Sequence, residues 1–274
     1  VGAGVVWEDV VTAVAPYGLM ALHGSSPDVG VAGYSLGGGM GWYARELGLA
    51  TNSLTALELV LPDGTFVRTD AEHDPELFWA LRGGGGNFGV VTALEFRLYP
   101  IASAYAGALV WDWSQAEEVI QRWATWSAQA PDEVTTSCRI LQLPPVDAVP
   151  LPLRGRQVVM IDGAVLTDDD EHGAAVIGGL RALQPELDLF ARTPAAALVR
   201  LHGDPEGPTP VVSDHTLLRE LPPEAVSAFV AAAGAGSGST LGMAELRQLG
   251  GLIPHFSPYP HLRRHQAIKR RSSR

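Results

Sequence analysis

Nineteen residues near the start, Gly24 to Trp42, restrict the fold more than any other stretch. They hold seven glycines, at 24, 30, 33, 37, 38, 39 and 41, interleaved with the small apolar residues Val29, Val31, Ala32, Leu36 and Met40. A polar surface loop would use Ser, Asn and Asp freely. Glycine instead lets the chain take positive φ and lets another surface come to contact distance, because no Cβ intervenes. Such a loop can offer backbone N–H groups to an anion while its apolar side chains stay in the core. The expectation is a large, phosphate-bearing ligand lying along 24–42. Two other readings compete: a glycine-rich turn needed only for close packing, and a nucleophile elbow. Gly33-Tyr34-Ser35-Leu36-Gly37 fits the G-x-S-x-G pattern of serine hydrolases, with Ser35 as nucleophile. That pattern needs an apolar strand before Ser35 and a helix after it. Val29 to Ala32 is short and broken by Gly30, and each glycine after Ser35 would cost a helix about 1 kcal/mol.

The chain of 274 residues is long enough for one large domain or two ordinary ones. Its 46% apolar content allows a substantial core, and a net charge of −11 argues against a nucleic-acid partner. Cys138 is the only cysteine, which excludes an intrachain disulfide and any cysteine-cluster metal site. No apolar run reaches the length of a membrane span, so no membrane partner is expected, and no signal peptide is visible, so a cytoplasmic location is expected.

Along the chain, Trp7 to Ala15 has a helical apolar stripe, and Leu19 to Leu22 reads as a short buried strand. Leu54–Leu61 and Thr65–Thr69 flank Pro62-Asp63-Gly64, a hairpin signal. Asp74-Pro75 starts a helix that ends in a second glycine run, Gly83 to Gly86, and Val90 to Leu98 reads as a strand. From about Ala104 glycine punctuation gives way to longer elements. Strands are expected over 104–113, 134–143, 157–166 and 240–246, with helices over 114–128, 168–183 and 222–233. This predicts an α+β chain with a first domain over 1–102 and a second over 103–253. Residues 254–274 hold the only lysine, Lys269, among crowded arginines, and are expected to form a disordered basic tail. Their foreign composition also raises the reading that they are not native coding sequence.

Taken in order, Val1-Gly-Ala-Gly4, Trp7-Glu-Asp-Val10, Gly24-Ser-Ser-Pro-Asp-Val-Gly-Val-Ala-Gly33, Leu36 to Trp42, Gly48 to Asn52, Leu61-Pro-Asp-Gly64 and Asp74 to Thr92 resemble a known family. It is the FAD-linked oxidases of the berberine bridge enzyme and 6-hydroxynicotine oxidase type, with a PCMH-type FAD-binding domain in the vanillyl-alcohol-oxidase fold. The resemblance is nearly continuous over 1–100 and loose over 104–250. It implies a two-domain α+β flavoprotein fold: part of an FAD-binding domain, then part of an α+β substrate domain. It implies that Gly24, Ser25, Ser26 and Gly30 line the flavin and its pyrophosphate, and that Gly33, Gly37 and Gly38 allow its close approach. Gly41, Gly48 and Leu49 would bound the same channel, with Asn52 at a position that is often Asp. Gly89, Val90 and Val91 would pack along the adenosine end.

Many members attach FAD through a cysteine in this loop. Here Ser26 stands in its place, so any FAD would be held non-covalently. Others use a histidine in a Gly-Gly-His segment that this sequence lacks, and His23 stands in the wrong place to replace it. An internal fragment of an oxidase is therefore expected, with a small organic substrate and O₂ or another electron acceptor as partners. An inactive remnant of the fold is the alternative. No metal site and no catalytic base are assigned. Tyr105, Trp111, Arg139, Gln142 and His202 are candidates only through their places on substrate-domain elements.

Overall fold

The computed structural model describes residues 1–253, and the basic tail expected over 254–274 lies outside them. The chain divides into two compact units. The first comprises 1–103 with 194–207 and 249–253, and the second 104–193 with 208–248. Two pieces of the span expected as one second domain, 194–207 and 249–253, thus return to the first unit. Neither carries a periodic apolar pattern long enough to announce where it packs.

In the first unit, α1 (Trp7–Val14) buries Trp7, Val10 and Val11. The glycine stretch is not one long loop: it contains a short helix, α2 (Val31–Leu36). Its start is pinned by the Val31 N–H donating to the Val5 carbonyl at 2.9 Å, and by Trp7 N–H donating to Val29 at 3.1 Å. Val31, Ser35 and Leu36 turn inward. Two further single turns, α3 (Ala44–Leu47) and α4 (Ala50–Ser53), lead into the hairpin β1 (Leu54–Val60) and β2 (Phe66–Asp70). Helix α5 (Pro75–Gly84) follows, capped by the Asp74 carboxylate accepting from Leu77 N–H, and then β3 (Val90–Phe96). The antiparallel sheet runs β2-β1-β3, and its core joins Leu36, Leu54, Leu57, Leu59, Phe78, Leu81, Val91 and Leu94. Residues 19–22 are not a strand. Only Met20 bridges, to Tyr99, and Met20, Ala21 and Leu22 are buried as single chain rather than as part of a ladder.

The second unit is a sheet of β4 (Ser103–Asp112), β5 (Val134–Gln142), β6 (Gln157–Val165), β7 (Leu187–Asp188), β8 (Ala191–Pro194) and β9 (Met243–Arg247). Its order is β7-β4-β6-β5-β9, with β8 also on β4. Helices α6 (Ala116–Ser127), α7 (Asp170–Arg181) and α8 (Pro223–Ala233) carry the side chains that pack with Leu109, Trp111, Val134, Cys138, Ile140, Val159, Ile161 and Val165 from one face of the sheet. By strand alternation, Thr135, Ser137, Arg139 and Asp162 lie on the other face, and all four are buried. The sequence reading lacked β7 and β8, which are two and four residues long. Among the described residues no helix is long and apolar enough to cross a membrane, and no cluster of three His, Cys, Asp or Glu side chains could hold a metal ion.

Candidate functional site: the glycine ribbon

The ribbon's glycines fall into two groups. The first closes on the chain itself. A Cβ at Gly24 would meet the Tyr34 ring at 2.9 Å, and one at Gly39 the same ring at 2.5 Å. A Cβ at Gly41 would lie within 2.1 Å of the His23 carbonyl oxygen. These three glycines are bare because Tyr34 and His23 already fill their faces, as the close-packing reading expects. Trp7 meets the Tyr34 ring edge-on at 5.5 Å.

The second group opens outward. Gly30 and Gly33 are exposed, and a Cβ at either would meet nothing within 4 Å. Gly33 lies inside α2, where alanine would favour the helix by about 1 kcal/mol. Nothing in the packing of the chain asks for glycine there, so the bare outer face of α2 suits a surface that the chain does not itself supply. The N–H groups of Gly24, Ser25 and Ser26 donate to no chain acceptor among the described residues. The open face at Gly30 and Gly33 leaves room for a flat ligand on the outside of the ribbon. It leaves none for one inserted between Gly24 and Gly41, where Tyr34 sits.

The serine hydroxyls are already engaged. Ser25 donates to Asp204 at 2.9 Å and Ser26 to Asp28 at 3.0 Å. Asp28 also accepts from the Gly207 N–H, and these two donors hold its carboxyl below its usual range. Two carboxylates beside the serines oppose an anion, so any phosphate contact at 24–26 would run through the backbone. Behind the ribbon, Gly38 and Gly39 carbonyls accept from Thr51 and Ala50 N–H, joining the ribbon to α4. Asn52 caps that turn, its side-chain oxygen accepting from Leu49 N–H at 3.0 Å. Gly48 closes α3 through its N–H to Ala44, and the Leu49 side chain lies against Gly38. Gly37 caps the end of α2.

The second glycine run reaches the first. Gly85 N–H donates to the Leu36 carbonyl at 3.2 Å. Gly89 lets β3 pass close to β1: a Cβ there would be 2.6 Å from the Val60 carbonyl oxygen. Val90 is exposed, while Val91 joins the core with Leu36. The structure thus brings the ribbon, Gly85 and Val91 around one small core.

The hydrolase reading fails on geometry. Ser35 sits inside α2 and only 1% exposed, with no helix following it and no preceding strand. The five substrate-domain candidates scatter. Trp111 Nε1 donates to the Leu183 carbonyl, and the Tyr105 hydroxyl accepts from Arg181, both among the residues packed with the helices. Gln142 donates to the carbonyls of Ser239 and Leu241. His202 belongs to the first unit, its ring 5.6 Å from Trp42. Arg139 alone stands in a buried polar group, which the sequence did not single out as a set. Asp162 accepts from Arg139 and from the Ser137 hydroxyl, each at 2.5 Å. Register pairing of β5 with β6 puts Ser137 opposite Asp162, a relation that only strand pairing reveals.

Residues 1–70 match the FAD binding domain family. An FAD-linked oxidoreductase of Bacillus subtilis (strain 168), YgaK, is 36% identical over 140 residues, 49% of this chain and 31% of that protein. The (R)-6-hydroxynicotine oxidase of Paenarthrobacter nicotinovorans is 40% identical over 118 residues, 43% of this chain and 26% of that protein. The match therefore spans less than a third of either relative. Among solved structures, 6-hydroxy-D-nicotine oxidase from Arthrobacter nicotinovorans superposes with a TM-score of 0.64 at 28% identity, covering 74% of this chain and 44% of that one. A chitooligosaccharide oxidase, at 22% identity and a TM-score of 0.70, shares the fold over 92% of this chain and 54% of its own. The expected resemblance to FAD-linked oxidases and the α+β flavoprotein fold are borne out. So is FAD as the cofactor of the matched domain.

Proposed function

We propose that this chain forms part of an FAD-dependent oxidoreductase that oxidises a small organic molecule and passes the electrons to O₂ or another acceptor. The observation that carries the reading is the outward bare face of α2 at Gly30 and Gly33, set beside a second glycine run tied to it through Gly85 and Leu36. When bound, FAD supplies hydride acceptance at the flavin. The chain's own contribution is binding and orientation. The N–H groups of Gly24, Ser25 and Ser26 would meet phosphate oxygens, and Gly30 and Gly33 would let the ligand lie against backbone, with Gly37 ending α2 and Gly38 backed by Leu49. Gly41, Gly48, Leu49 and Asn52 hold the ribbon's course from behind. Gly89 and the exposed Val90 would line the far end, with Val91 packed behind them in the core. Ser26, without a thiol, leaves the cofactor non-covalent.

Titration of the purified chain with FAD tests this. Quenching of flavin fluorescence and a flavin visible band that stays with the protein through gel filtration are the expected results. A colourless protein that leaves FAD fluorescence unchanged would overturn the reading.

A further inference from the structure

Behind the ribbon, four rings touch in series. Tyr34, half-buried, covers Gly24 and Gly39. Trp7 meets the Tyr34 ring at 5.5 Å and the His23 ring at 6.4 Å. His23 in turn meets Tyr43 edge-on at 5.2 Å. These centroid separations are those of aromatic rings in contact. On its other side Trp7 meets Phe96 at 6.0 Å, a ring with no readily oxidised group. All five residues belong to the first unit.

Hydrogen bonding differs along the series. Trp7 is 1% exposed, and its Nε1–H finds no acceptor among the described residues. A buried donor without an acceptor is costly and rare, and redox use is one reason for it to persist. An indole that gives up an electron there cannot hand on its proton. It stays a strong one-electron oxidant and is refilled by a neighbour. Tyr43 is the opposite case. Its hydroxyl lies 3.1 Å from His23 Nε2, while His23 Nδ1 is held by the Gly24 carbonyl at 2.6 Å. Burial keeps His23 neutral, so its Nε2 lone pair can take a proton. Burial also raises the Tyr43 pKa above that of an ordinary phenol, so no tyrosinate forms there. A phenol that has lost an electron is a far stronger acid than an imidazolium, and a base within hydrogen-bond reach receives its proton.

We propose that Tyr34, Trp7 and the Tyr43–His23 pair form a one-electron relay that draws oxidising equivalents from the ribbon into the first unit. A one-electron oxidant at the ribbon, such as a photoexcited flavin, takes an electron from Trp7 across the Tyr34 ring and is reduced. The Tyr43 O–H bond then breaks. Its electron refills Trp7 and its proton goes to His23 Nε2, leaving a neutral tyrosyl and an imidazolium. A one-electron reductant reverses the step, and His23 returns the proton. The relay rests on the FAD reading only for the identity of the oxidant.

Laser-flash oxidation of the purified chain by tris(bipyridine)ruthenium(III), generated in solution, tests the relay without FAD. A Tyr17→Phe background removes an exposed phenol. The expected result is a long-lived neutral tyrosyl radical, read by absorption and electron paramagnetic resonance, that grows in as a tryptophanyl radical decays and does so more slowly in D₂O. Tyr43→Phe, which keeps the ring, loses it. Trp7→Phe slows its appearance severalfold. His23→Gln removes the base, lowers the yield severalfold and abolishes the D₂O effect. Tyr43→Phe alone decides the matter if the Trp7 variant folds poorly. The relay is overturned if Tyr43→Phe keeps the long-lived radical, or if Trp7→Phe and His23→Gln both behave as the parent. A chain that forms the radical but holds no FAD supports the relay and defeats the FAD reading. A chain that holds FAD and forms no such radical does the reverse.

Discussion

The Tyr43 hydroxyl donates to His23 Nε2 across 3.1 Å, in a site with no solvent access to either ring. The other ring nitrogen, Nδ1, is 2.6 Å from the Gly24 carbonyl, which can only accept, so Nδ1 carries the proton and Nε2 the lone pair. His23 is therefore neutral, and burial lowers its pKa to about 4 despite the carbonyl contacts that favour the charged form. His23 also fixes the entry to the ribbon, because its backbone carbonyl lies against Gly41.

The stability of the chain should follow this ring. The unfolded chain takes up a proton as pH falls through about 6.5, while the folded site resists until about 4. The contribution of His23 is complete above pH 6.5, declines between 6.5 and 4, and is flat below. Across that window the loss amounts to roughly 3 kcal/mol. Urea unfolding at a series of pH values checks it: His23→Gln should flatten the profile between 4 and 6.5. An unchanged slope would mean that other groups carry the pH dependence.

Much of this architecture was legible in the sequence. Pro62-Asp63-Gly64 marked the β1–β2 hairpin, and Asp74-Pro75 marked the start of α5, because turn and cap chemistry is local. The ribbon was legible as a site but not as a shape. Seven glycines hid α2, whose formation depends on Val5 and Val29, residues that bond across the chain rather than along it. Nor could composition separate Gly24, Gly39 and Gly41, filled by Tyr34 and His23, from Gly30 and Gly33, which face outward. The same holds for Ser137, Arg139 and Asp162, brought together by cross-strand register.

That buried trio carries a stability prediction for the second unit. The Asp162 side chain is fully buried and that of Arg139 is 5% exposed. Asp162→Ala would strand a buried guanidinium and should cost about 3–5 kcal/mol. Replacing both, as Arg139→Met with Asp162→Leu, should cost much less, because no unpaired charge is left. Denaturant midpoints of the three proteins decide it, and a single variant as stable as the parent would show that the pair is not desolvated.

Ser35 gives a simpler test of chemistry. It is buried within α2, so a fluorophosphonate probe should leave it unmodified in the folded chain. Mass spectrometry of the tryptic peptides reads this directly. Stoichiometric modification of Ser35 under native conditions would restore a nucleophilic role.

Gly33 and Gly41 should respond oppositely to the same change. Gly41→Ala drives a methyl group into the His23 carbonyl, and backbone must move to admit it. A loss of about 1–3 kcal/mol is expected. Gly33→Ala adds a methyl group to an open face in a helix that prefers alanine, so the melting temperature should rise, by up to about 1 kcal/mol in stability. If that face carries the cofactor, the same substitution should weaken FAD binding while the fold gains. Thermal melts paired with FAD titrations on both variants measure the two effects separately. A Gly33→Ala chain that is more stable and binds FAD as tightly as the parent would move the cofactor off the outer face of α2, since a methyl group added to the contact surface would have cost it nothing.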